Sequence, residues 1–234
     1  MTITEQPTPT RFELVPFDLY KDVHKGIRSE MFSLIESAGN ADPSDRCARV
    51  AVSDHVRSVV AFLDMHAEHE DAAILPDLEA HLPATAERIA SDHASFDRRT
   101  VALVDLAATA ADAAGPEQRR LTHQLYLDLA AFASSYLAHQ DFEERELMPA
   151  LFEAVGFEAV LGIHQAIVGA IPPAEMVTSL AVMLPAMNLD DRAELLGGMR
   201  AGAPAEVFQG VWSLAGSVLA PADHAALATR LDLS

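Results

Sequence analysis

The sequence predicts an all-α fold, an antiparallel up-down-up-down four-helix bundle with a C-terminal helical appendage. Three observations carry that expectation. Apolar residues recur at three- and four-residue steps through four long stretches, each closed by a Pro or Gly break. No stretch alternates polar and apolar residues over the length of a strand. Finally, two segments nearly repeat each other: His66-x-x-x-Glu70 followed by Leu75-Pro76, and His139-x-x-x-Glu143 followed by Met148-Pro149. On a helix a four-residue step turns about 40° and climbs about 6 Å, so each His shares a face with its Glu.

The elements follow in order. Residues 1–16 read as a polar, proline-containing arm whose end, Phe12-Glu13-Leu14-Val15-Pro16, is a short extended lead-in. A first helix is expected over residues 17–37, with Tyr20, His24, Ile27, Met31 and Leu34 on its inward stripe. Gly39-Asn40-Ala41-Asp42-Pro43-Ser44 reads as a turn. The second helix spans residues 45–74, with Val52, His55, Val59, Phe62, His66 and Glu70 inward, and a short segment after Pro76 reaches His81. Pro83 opens a third helix to residue 113, carrying Ile89, His93, Phe96, Thr100 and Leu103 inward. After Gly115-Pro116 a fourth runs over residues 117–147, with Leu125, Leu129, Phe132, Tyr136, His139 and Glu143 inward, and Pro149 is expected to close it. The bundle thus occupies residues 17–155. Residues 156–234 read as five short helices bounded by Pro or Gly, over 157–170, 173–187, 189–201, 204–219 and 221–231.

Composition excludes several classes. Lys and Arg total 16 against 35 Asp and Glu, a net charge of −19, which repels phosphate backbones and anionic membranes, so neither nucleic acid nor membrane is an expected partner. An apolar share of 50% rules out general disorder. The single cysteine, Cys47, forms no internal disulfide and reads as a small packed side chain. Met1 to Pro7 lacks a basic stretch leading into an apolar run, and a cytoplasmic location is the expectation.

The chemistry lies in the polar residues on the inward stripes. In an antiparallel bundle, early positions on odd helices and late positions on even ones share a level. With His24 and His93 two to three turns into their helices, they meet His66 with Glu70 and His139 with Glu143 at one cross-section. Burying four imidazoles and two carboxylates in an apolar layer costs several kcal/mol per unpaired group, and a metal removes that cost. Six such ligands are too many for one tetrahedral zinc and too nitrogen-rich for calcium or magnesium. They suit two octahedral transition ions with bridging carboxylates and room for an oxo or hydroxo bridge. Iron is the favoured metal and manganese the second.

His24, His66-x-x-x-Glu70, His93 and His139-x-x-x-Glu143, with the trailing Leu-Pro and Met-Pro, resemble the pattern of hemerythrin-like (HHE) proteins over residues 17–155. The resemblance implies a non-haem di-iron centre that binds dioxygen or a related small molecule such as nitric oxide or peroxide. By the same transfer, His24, His66, His93 and His139 are terminal ligands and Glu70 and Glu143 bridge. The pattern departs from oxygen-carrying hemerythrins at His93-x-x-x-Asp97, where they have a second histidine. It departs again at Glu143, four residues after its histidine, where they have an aspartate five after. One fewer imidazole favours sensing, iron handling or redox turnover.

Asp97 is expected beside the centre, as an acceptor that holds a ligand or, as the second choice, as a seventh ligand itself. Tyr20 and Tyr136, one turn before His24 and His139, read as packed aromatics, or as proton donors to the bound molecule. His55 reads as a hydrogen-bonded core histidine, and Asp141, Glu144 and Glu146 as a solvated face. Two functions follow: a module that binds a small molecule for sensing, storage or protection, or a di-iron redox enzyme for peroxide disproportionation or oxygen-dependent oxidation. Residues 156–234 could also form a homodimer surface.

Overall fold

The computed structural model describes residues 15–233. The N-terminal arm expected over residues 1–16 lies outside them except for Val15 and Pro16. Among the described residues all regular structure is helical.

Helix α1, Lys21–Asn40, starts four residues later than expected. Asp18 is the reason, since its carboxylate accepts from the backbone N–H groups of Tyr20 (2.9 Å) and Lys21 (3.1 Å) and shapes a turn before the helix. His24 therefore sits one turn into α1, not two or three. Helix α2, Arg46–Ala73, is capped by Asp45, which accepts from the Cys47 N–H. Cys47 itself is exposed, contrary to expectation, because that first turn lies at the bundle's rim. Short α3, Leu75–His81, and α4, Pro83–Asp112, each carry Pro in the first turn, where its missing N–H is not needed. Gly115, at φ 59°, makes the turn into α5, Pro116–Phe142.

The chain does not stop at Pro149. A π-helical turn, Glu143–Leu147, leads directly into α6, Met148–Val155. Pro149 falls in the first turn of α6, so the wider turn lets the proline continue the helix. The remaining helices are α7 (Phe157–Ala170), α8 (Pro173–Ala186), α9 (Leu189–Gly202), α10 (Ala205–Val218) and α11 (Pro221–Arg230). Each end falls within a residue of its expected position.

Helix α1 packs against α2 and α5, and α4 packs against the same two, closing a ring of contacts. Inside it, Ile27, Met31, Val56, Phe62, Leu103 and Phe132 belong to one apolar cluster. A second cluster, including Tyr20, Ile74, Leu78, Leu147, Met148 and Leu151, caps one end. Each fully buried side chain of this size contributes about 1.5–3 kcal/mol. Helices α8 to α11 gather a third cluster around Leu184, Leu196, Ala215 and Leu227.

The C-terminal helices rest on the bundle through α7 on α2 and α8 on α1. Gly26 allows the second contact: a Cβ there would come 3.0 Å from Val182 Cγ1 and 3.3 Å from the Met183 Cα. Lys21 (2.9 Å) and Lys25 of α1 reach Asp191 at the start of α9. Two buried arginines finish helix ends. Arg49 donates to the Ala110, Ala111 and Ala113 carbonyls at the C-terminal end of α4, and Arg192 to those of Leu184 and Pro185 in α8. No single helix among the described residues is long and apolar enough to cross a membrane.

Candidate metal centre

Six polar side chains are buried between the first two apolar clusters: His24, His66, Glu70, His93, His139 and Glu143. They come from α1, α2, α4, α5 and the π-helical turn. His24 Nε2 and His66 Nε2 lie 3.2 Å apart, and the His93 and His139 rings meet edge to face with centroids 5.2 Å apart. The ligand atoms form two trios, His24-His66-Glu70 and His93-His139-Glu143, each with all its atoms within 4.8 Å of one another. A transition ion about 2.1 Å from each ligand needs adjacent ligand atoms about 3 Å apart, so either trio can hold one.

The carboxylates tie the trios together. Glu70 Oε1 is 3.0 Å from His66 Nε2 in the first trio, and its Oε2 is 3.4 Å from His93 Nε2 in the second. Glu143 does the reverse, with Oε1 3.1 Å from His139 Nε2 and Oε2 3.5 Å from His24 Nε2. Each carboxylate therefore offers one oxygen to each trio.

The outward nitrogens decide what the inward ones present. His24 Nδ1 lies 2.9 Å from Glu144 Oε1, His93 Nδ1 2.8 Å from Asp71 Oδ1, and His139 Nδ1 3.2 Å from Asp92 Oδ2. A carboxylate beside Nδ1 keeps the proton there and turns the Nε2 lone pair inward. The centre then consists of acceptors facing acceptors. Glu70 Oε1 and both Glu143 oxygens accordingly lack a hydrogen-bond partner despite their short distances to ring nitrogens. Such a set calls for cations.

Protons are the substitute where no cation is held. Burial alone would lower the His93 pKa, but Glu70 and Asp71 outweigh it and raise it to about 9. His139 is likewise raised by Glu143 against its burial. Glu70, which burial would raise, is held well below the carboxylate range by His66 and His93. Two tyrosines flank this layer, Tyr20 with its ring 5.1 Å from His24 and Tyr136 5.9 Å from His139. Burial first, then Glu70 and Glu143, push both hydroxyls well above their usual pKa, so each keeps its proton.

Some expectations need correction. Glu144 is no solvated group, because the π-helical turn aims it at His24, where it also accepts from Arg28 at 2.6 Å. Asp97 holds no ligand histidine; Asp71, Asp92 and Glu144 do that work, and Asp97 lines a small cavity beside His93. His55 is half-buried and pairs with Glu30 at 3.4 Å, apart from the centre. Helical periodicity does not mark the roles of Asp71, Asp92 and Glu144, because each serves a histidine on another helix. Their signal was adjacency: Asp71 follows Glu70, Asp92 precedes His93, and Glu144 follows Glu143.

The family model described as the hemerythrin HHE cation binding domain matches residues 15–151, more than half of the chain. No curated protein and no solved structure matches the chain.

Proposed function

The chain belongs to the hemerythrin HHE cation binding domain family, and from that premise we propose that it is a di-iron protein binding dioxygen, nitric oxide or peroxide for sensing, storage or protection. His24 and His66 would hold one ion and His93 and His139 the other, with Glu70 and Glu143 spanning both, inside an up-down-up-down arrangement of α1, α2, α4 and α5. When bound, a pair of iron ions supplies electrons singly and open positions for a small molecule. One observation carries the reading: each buried carboxylate directs its two oxygens to different histidine pairs.

The chain's own groups do the rest. Glu144, Asp71 and Asp92 keep three imidazoles in the tautomer whose Nε2 can donate an electron pair. The apolar clusters on either side exclude bulk water. The test is metal analysis of the purified protein with spectra taken without oxygen and after its admission. About two irons per chain, with visible bands that come with oxygen and leave on degassing, support binding; a chain that takes up no transition metal would refute it.

Redox turnover is the second reading, and the Tyr20 and Tyr136 hydroxyls favour it. Both rings pack against ligand-type histidines, Tyr20 5.1 Å from His24 and Tyr136 5.9 Å from His139, where a proton donor to a reduced small molecule has to stand. Steady oxygen evolution from peroxide, reduced by Tyr136→Phe, would select it.

A further inference from the structure

We propose that a cavity between α2 and α4 is the route by which small uncharged molecules reach the centre, and that Asp64 and Asp97 at its mouth turn anions away. This rests on the metal reading above. The cavity measures about 10 Å³, room for one water molecule. Its outer end is marked by Asp64 and Asp97, both exposed, and its inner end by His93 and Tyr136, both buried. Between them the wall is apolar, with Ala67 and Phe96.

Two features make this more than a packing gap. Tyr136, only 5% exposed, brings its hydroxyl-bearing ring to the inner end, so a buried polar side chain lines the cavity there beside His93. Charge also changes along the path. Asp64 and Asp97 lie close enough to repel each other, and no cation pairs with either among the described residues. An anion meets repulsion at the mouth and then desolvation against Ala67 and Phe96. A neutral diatomic molecule meets neither, and hydrogen peroxide escapes the repulsion. Asp97, which the sequence suggested for the centre, is thus assigned to its access.

Stopped-flow mixing of the iron-loaded full chain with azide, an anion, and with nitric oxide, which is neutral, tests the gate. Asp64→Asn with Asp97→Asn should speed azide association about five- to tenfold at low ionic strength. Nitric oxide should stay within about twofold, and the azide rates of wild type and variant should converge as salt screens the mouth. Azide rates that match at every salt concentration would overturn the gate. Ala67→Phe should slow both ligands at least tenfold with iron content unchanged, Ala67→Leu serving if the larger ring lowers the melting temperature; unslowed binding in both would overturn the route.

A second readout needs no metal. Pressurised dioxygen should relax the Thr100 methyl protons in the cavity wall more strongly than those of Ala215, which is fully buried in the third apolar cluster. Equal relaxation would count against the cavity even if iron binds. A chain that binds no iron yet shows the Thr100 effect would keep the cavity and refute the metal reading.

Discussion

Glu143 and Glu144 grip the two nitrogens of one imidazole: Glu143 Oε2 stands 3.5 Å from His24 Nε2, and Glu144 Oε1 2.9 Å from His24 Nδ1. Consecutive residues on a regular α-helix point about 100° apart. The π-helical turn at Glu143–Leu147 brings both to the same ring, and π-bulges of this kind recur at functional sites. Glu144→Gln should lower metal affinity about 10- to 100-fold, read by competition with a chelator, because His24 loses the partner that fixes its tautomer. Glu146→Gln, in the same turn, should leave it unchanged.

His66→Ala and Glu143→Ala should each lower metal content and melting temperature together, since ion binding to the folded chain is folding free energy. Full metal content in both variants, by elemental analysis, would contradict the ligand assignment.

Asp22 gives a pH signature at the contact between α1 and α9. Burial pushes its pKa up to about 6, against Lys21 and Lys25 and with help from Asp191. The folded chain then holds a proton that the unfolded chain, near 3.8, releases. Its contribution therefore favours folding below about pH 4 and is lost as pH rises through 6. Asp22→Asn should raise the melting temperature by about 1–4 °C at pH 7.5, the gain fading below pH 5. Thermal melts at the two pH values check it.

Gly26 and Arg49 test the packing by opposite means. Gly26→Val should push α8 from α1 and cost about 1–3 kcal/mol in urea unfolding, because the added Cβ meets Met183 backbone. Arg49→Ala should cost about 2–3 kcal/mol, since the carbonyls at the end of α4 lose a charged donor.

Much of this molecule was legible in one dimension. Helical periodicity and Pro or Gly breaks marked the helices, and a His-Glu step repeated with its downstream proline marked the centre, because both patterns are local and governed by 3.6 residues per turn. Where another local bond competes, the helices depart from that pattern: Asp18 delays α1, and the π-helical turn carries the chain past Pro149. What the sequence determined by itself, then, is an all-helical chain with ligand-type residues on inward faces. Only the tertiary structure decided that Glu70 and Glu143 each span both histidine pairs, and that Asp71, Asp92 and Glu144 reach across to hold the rings. Those relationships join different helices, and their distances depend on axial register and rotation that no spacing along one helix encodes.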